Sequence, residues 1–162
     1  MELYFFNTKR EDFTKSLHNL LGESKDPRRR ISKSYTKDAC VLCVSHHPCA
    51  IGVDIELQQQ RTLEAMEHFV QSFSTFDIKD IPDKIDEQWF YKAWTAMESY
   101  FKLRGKGFST PKDFVLDLGD HCIRREDVAV AWFEYYQIDK YLICLCSEAK
   151  FPRQSVDIHL QC

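Results

Sequence analysis

Gly52-Val53-Asp54-Ile55-Glu56, followed after a helix-rich interval by Trp94-Thr95-Ala96-Met97-Glu98-Ser99-Tyr100-Phe101-Lys102, decides how the chain is read. On a strand, successive side chains point to opposite faces. Asp54 and Glu56 therefore share a face while Val53 and Ile55 enter the core behind them. On a helix, residues four apart share a face, which stacks Trp94, Glu98 and Lys102 in one stripe. A strand and a helix packed in this way set two carboxylates opposite a third, with an ammonium beside them. Such a gap suits a hard divalent cation carrying a phosphate.

Outward from these stretches, the periodicity supplies the neighbouring elements. Leu3 to Phe6 reads as a short strand, and Glu11 to Leu21 carries Phe13, Leu17, Leu20 and Leu21 at helical spacing. Cys40 to Val44 and Ala50 to Ile55 read as two strands joined by His46-His47-Pro48-Cys49, a connection short enough for a hairpin. Thr62 can cap a helix through Leu63, Met66, Phe69 and Val70. Asp83 or Asp86 opens the main helix, which ends near Leu103 to Gly105. Phe114 to Leu118, Val128 to Tyr136 and Tyr141 to Cys146 have strand character, and Val156 to Leu160 alternates as a weaker final strand. Helices between sets of antiparallel strands make an α+β plan.

Bulk numbers bound the rest. The 162 residues suffice for one domain with its own core and are too few for two ordinary ones. A composition 44% hydrophobic and 29% charged, with five Gly and five Pro, excludes a disordered or repetitive chain. No apolar run approaches the ~20 residues of a membrane helix, and Met1-Glu2-Leu3-Tyr4-Phe5-Phe6 lacks the basic start of a signal peptide. The expectation is a cytoplasmic protein without a membrane partner. Seven cysteines without an export signal point to reduced thiols. Cys40, Cys43, His46, His47 and Cys49 hold enough sulfur and imidazole for zinc, but residues three apart on a strand face opposite sides, so small buried side chains beside a polar turn are the better reading.

The net charge of −3 gives no global pull toward nucleic acid. Locally, Lys25, Arg28, Arg29, Arg30 and Lys33 fall within nine residues. That run is either a solvated loop or an anion site, since guanidinium forks match phosphate oxygens. Taken separately, Asp54 and Glu56 read as strand-end surface acids and Glu98 with Lys102 as a helical ion pair of ~0.3–0.5 kcal/mol. Taken together with Lys102, Lys106 and the arginine run, they favour phosphoryl chemistry.

At these residues the chain resembles the 4′-phosphopantetheinyl transferase superfamily, whose signatures are a Gly-x-Asp-x-Glu strand and a Trp-Ser-x-Lys-Glu-Ala-x-x-Lys helix. The interval from Asp54 to Glu98 is similar to that of the longer, monomeric, surfactin-synthetase-activating class that primes carrier domains. Similarity extends to Phe90-Tyr91, to Leu103-Arg104-Gly105-Lys106-Gly107-Phe108 and to Ser109-Thr110-Pro111, and more weakly to Ile31-Ser32-Lys33-Ser34, which looks like the family's Ile-Ser-His-Ser phosphate-binding turn. The resemblance implies antiparallel strands packed on a long helix in a single domain, 1–162. Residues 1–48 would form an abbreviated N-terminal lobe and 49–162 the transferase lobe carrying both motifs.

The resemblance further implies transfer of the phosphopantetheine arm of coenzyme A to a serine of an acyl or peptidyl carrier protein, with release of adenosine 3′,5′-bisphosphate. Asp54, Glu56 and Glu98 would bind Mg²⁺, Glu98 would also take the serine proton, and Lys102 would meet the transferring phosphate. Ser32 and Lys33, with Arg29, Arg30 and Lys106, would contact coenzyme A. Lys33 replaces the usual histidine and keeps a positive charge. Met97 stands where the family carries lysine, and at about 100° from residue 98 around the helix it reads as a core methionine. The expected state is a monomer rather than a homo-oligomer. The alternative functions are a degenerate homologue that binds coenzyme A or a carrier without catalysis and, with less support, a metal-dependent phosphohydrolase.

Overall fold

Val53 and Ile55 orient the strand that carries the acids. In the computed structural model, which describes residues 1–22, 28–72, 76–105, 114–151 and 156–161, both are buried against Leu3, Phe5, Val41 and Cys43 of a second sheet. Gly52, Asp54 and Glu56 are thereby left to face the long helix. The strand is β4 (Ile51–Leu57), and it opens a six-stranded sheet. Next to it lie β9 (Tyr141–Ser147), β8 (Val128–Ile138), β7 (Cys122–Arg125), β6 (Phe114–Asp117) and β5 (Phe76–Ile78) in that order. All neighbours are antiparallel except β5 and β6.

A four-stranded sheet in the order β10-β1-β3-β2 packs on its other side. It consists of β1 (Glu2–Phe6), β2 (Arg30–Tyr35), β3 (Cys40–Ser45) and β10 (Asp157–Gln161), the last running parallel to β1. Helix α1 (Arg10–Leu21) covers the outer face of this sheet, where Phe13 meets Phe6, Cys40, Leu42 and Val44. On the far face of the larger sheet, α2 (Leu63–Ser72) and α3 (Glu87–Arg104) contribute Met66, Phe69, Phe90, Met97 and Tyr100 to a third core. The layers run helix, sheet, sheet, helices, an α+β arrangement.

The helix boundaries follow their capping chemistry. Asp86 accepts from Trp89 N at 2.7 Å and opens α3, while Gly105, in the left-handed region at φ 61°, closes it by donating to Lys102 O. Thr62 Oγ1 accepts from Ala65 N at the start of α2. Met97 is fully buried in the core beneath α3, as its helical position predicts.

The expected hairpin between β3 and β4 does not form. β3 pairs with β1 and β2, whereas β4 pairs with β9. Cys40-Val41-Leu42-Cys43-Val44 is apolar on both faces, and each face needs cover. Helix α1 covers one face and the sheet of β4 covers the other, so the chain must change layers at His46-His47-Pro48-Cys49. A hairpin would have kept β4 in the same layer and left Val41 and Cys43 uncovered. The same layering puts Cys40 and Cys43 in different cores. Ile31 to Ser34, read as a turn, lies within strand β2, and the short strands β5 and β7 carry too few alternating residues to be visible in the sequence.

Candidate active site

Gly52 sets the distance between β4 and α3. A Cβ placed there would lie 2.5 Å from Leu103 N and closer still to Ser99 O, so only glycine lets the helix backbone settle on the strand. From that contact the strand continues to Asp54 and Glu56, and the helix presents Lys102, Glu98 and Trp94 alongside. Lys102 Nζ reaches Asp54 Oδ1 at 2.6 Å, and Trp94 Nε1 donates to Glu56 Oε1 at 2.9 Å. A pocket of about 410 Å³ is lined by Asp54, Glu56, Glu98 and Lys102 together with Lys33, Ser34 and Tyr35 of β2.

The charges in this pocket do not balance. Three carboxylates face two ammoniums, Lys102 and, at the rim, Lys33, and burial makes all three acids hold protons more tightly. Burial, reinforced by the negative charge of Asp54, pushes the Glu56 carboxyl up to about 7 against the opposing hydrogen bond from Trp94. Glu98 is also raised, first by burial and then by Asp54, with Lys102 opposing. Asp54 is raised by burial, against Lys102 and Ser34. Asp54 Oδ2 is buried with no hydrogen-bond partner among the described residues. A surplus of carboxylate oxygen and an orphaned buried acceptor fit a hard divalent cation with open positions for substrate oxygens.

A tighter grouping of metal-type donors lies elsewhere and has a different character. The ligand atoms of Asp117, Asp120 and Cys122 fall within 4.8 Å of one another. Asp117, however, is already paired with Lys79 at 3.0 Å and Arg124 at 3.3 Å, and Arg124 also bridges to Asp120. Asp117 Oδ1 accepts from Asp120 N as well. Its charges are satisfied by Lys79 beyond β5 and Arg124 on β7, so the electrostatic demand is in the β4–α3 pocket.

A model of the 4′-phosphopantetheinyl transferase superfamily matches residues 50–146, more than half of the chain and all of Asp54, Glu56, Glu98 and Lys102. The chain belongs to this superfamily. Similar curated proteins include a 4′-phosphopantetheinyl transferase of Bacillus subtilis, 36% identical over 90 residues that cover 54% of this chain and 38% of that protein. The 4′-phosphopantetheinyl transferase Sfp of Bacillus subtilis strain 168 is 37% identical over 65 residues, 39% of this chain and 28% of the relative. The transferase ffp of Bacillus subtilis is 42% identical over 66 residues, with the same shares. The chain thus matches well under half the length of these relatives.

As a member of the superfamily the chain uses its basic run in more than one way. Arg29 Nη1 donates to Leu21 O at 2.7 Å, at the end of α1, and Arg30 Nε reaches Pro48 O at 3.4 Å; neither lines the acid pocket. Ser32 Oγ accepts from Val53 N at 2.9 Å and so ties β2 to β4. Lys33 is exposed and lines the pocket. Lys106 lies outside the described residues, as does the stretch from Gly107 to Pro111. Sequence reasoning missed Ser34 and Tyr35. The signal for Ser34 was available, because it stands two residues beyond Ser32 and so shares its face of a strand. No part of the described chain is a helix long and apolar enough to cross a membrane.

Proposed function

We propose that the protein catalyses Mg²⁺-dependent transfer of the 4′-phosphopantetheine arm of coenzyme A to a serine hydroxyl of an acyl or peptidyl carrier protein, releasing adenosine 3′,5′-bisphosphate. The observation that carries this reading is the meeting of Asp54, Glu56, Glu98 and Lys102 in one pocket within the region that matches the superfamily. In the reaction the carrier serine oxygen bonds to the phosphorus bearing the pantetheine arm. The pyrophosphate bond to the adenosine bisphosphate breaks, and the serine proton leaves to a base. Mg²⁺ held by Asp54, Glu56 and Glu98 would neutralise charge on the pyrophosphate.

Glu98 suits the base. It is half-buried, and its raised affinity for a proton brings it closer to the range in which a carboxylate accepts protons usefully near neutral pH. Lys102 would meet the transferring phosphate, stabilising charge as the bond to the leaving group stretches. Lys33, at the pocket rim, supplies positive charge for the phosphates of coenzyme A, with Arg29, Arg30, Ser32 and Lys106 as the further candidates from the sequence.

Incubation with coenzyme A, Mg²⁺ and apo-carrier proteins should add the mass of one phosphopantetheine to the carrier serine. Glu98→Gln should reduce kcat by at least 10²-fold while keeping the thermal midpoint, because the change removes charge at nearly constant shape. No added mass on any of several carriers, with coenzyme A still bound, would replace transfer by binding alone. Full activity in Glu98→Gln would remove Glu98 from the role of base.

A further inference from the structure

Strand β2 carries an inverted burial pattern. Ser32 and Ser34 are buried, whereas Ile31 and Tyr35 are 45% and 42% exposed. Two hydroxyls on the inner face of a strand, flanked by outward apolar residues, need partners to offset their desolvation. The partners lie on β4. Ser32 Oγ accepts from the backbone of Val53, and Ser34 Oγ donates to Asp54 Oδ1 at 2.9 Å.

Ser34 is more than a tether, because Lys102 joins it. Lys102 Nζ donates to Ser34 Oγ at 2.6 Å and to Asp54 Oδ1 at 2.6 Å, which closes a three-membered ring of contacts. Accepting from the ammonium leaves the hydroxyl proton of Ser34 to point at Asp54. Asp54 Oδ1 then receives two donors, and Oδ2, buried beside it, receives none among the described residues. The ring therefore distinguishes two chemically equivalent oxygens.

We propose that Ser34 is a positioning residue for the cation site, holding Asp54 and Lys102 so that Oδ1 is committed to the protein and Oδ2 is kept as the cation ligand. This rests on the reading of Asp54 as a metal ligand given above. Without the hydroxyl, the Asp54 carboxylate is free to turn, and the ammonium of Lys102, having lost one acceptor, can move across to Oδ2 and compete with the cation. Residues that orient metal ligands commonly set affinity by 10- to 100-fold.

The test is Mn²⁺ binding to the full chain, followed by the electron paramagnetic resonance signal of the free ion, in wild type, Asp54→Asn, Ser34→Ala and Ser34→Thr. Wild type should bind Mn²⁺ and Asp54→Asn should not. Ser34→Ala should lose about 10- to 100-fold in affinity, and Ser34→Thr, which keeps the hydroxyl on a strand position, should stay within about threefold of wild type. Thermal melting in a chelator confirms that each variant is folded. Wild-type affinity in folded Ser34→Ala, alongside lost binding in Asp54→Asn, overturns the role of Ser34 and leaves the metal reading standing. Equal losses in the alanine and threonine variants also overturn it, because the hydroxyl is then not the determinant. Absence of Mn²⁺ binding in wild type overturns the metal reading itself and the inference with it.

Discussion

Replacing Gly52 by alanine tests whether the acids are held by the close approach of β4 to α3. The added methyl would stand 2.5 Å from Leu103 N and 3.0 Å from Leu103 Cβ, where ordinary contact begins at 3.4 Å. The nearest obstacles, Ser99 O and Leu103 N, are backbone atoms and cannot turn aside. Strand and helix must separate by more than about 1 Å, an overpacking that costs about 1–3 kcal/mol. Removing a glycine from the unfolded chain works the other way, by only about 0.4–1 kcal/mol. The clash wins over nearly all of this range, by up to about 2.6 kcal/mol, and at about 2–4 °C per kcal/mol for a chain of this size the midpoint should fall by up to ~10 °C. Ser99 and Leu103 bracket Lys102, so the same separation lengthens the 2.6 Å pair between Lys102 and Asp54. Circular dichroism melts in chelator and Mg²⁺ titration by calorimetry measure both effects. Unchanged midpoint and unchanged affinity in Gly52→Ala would refute the argument.

Two further outcomes follow from the electrostatics. Glu56 takes up a proton on folding, since its folded pKa of about 7 lies above the ordinary value of 4.5. Its contribution to stability is therefore full below about pH 4.5 and lost as pH rises through about 7, by at most about 3 kcal/mol. Without metal, the melting midpoint should fall from pH 5 to pH 8, and Glu56→Gln should flatten that slope; an identical slope in the variant would exclude Glu56 as its source. Trp94→Phe removes the donor that lowers the pKa of Glu56. The pH midpoint of Mg²⁺ binding should then move up, by roughly one to two units for the loss of one hydrogen bond to a charged group, and calorimetry across pH 6–9 would register its failure to move.

The strand and helix of the site were legible because each has a period that its chemistry does not disturb. Val53 and Ile55 alternate with Asp54 and Glu56, and Trp94, Glu98 and Lys102 repeat at four residues, so the facing surfaces could be drawn from the sequence alone. The β3–β4 connection was not legible in the same way. A short polar link between two apolar runs looks alike whether the second strand rejoins its sheet or crosses to another layer. The unbroken apolar run of β3 was the clue that both of its faces needed cover. On β2, hydrophobicity pointed the wrong way. Ile31 and Tyr35 are outside because the inner positions serve β4 through hydroxyls, a requirement that appears only once Val53 and Asp54 are alongside. Arg29, read in the sequence as an anion binder, also holds the end of α1 through Leu21 O.

The parallel pairing of β10 with β1 bears on how the protein is made. Glu2 lies beside Asp157, and Asp157 N donates to Met1 O. On the ribosome β1 can find β3 once Cys40 to Ser45 have appeared, and its other edge then stays bare until Asp157 to Gln161 follow. An open edge of this kind invites pairing with other chains, and contacts between residues so distant in sequence form late. The four-stranded sheet is begun before the six-stranded one and completed after it, so the nascent chain is most vulnerable on the side of β1 that β10 closes.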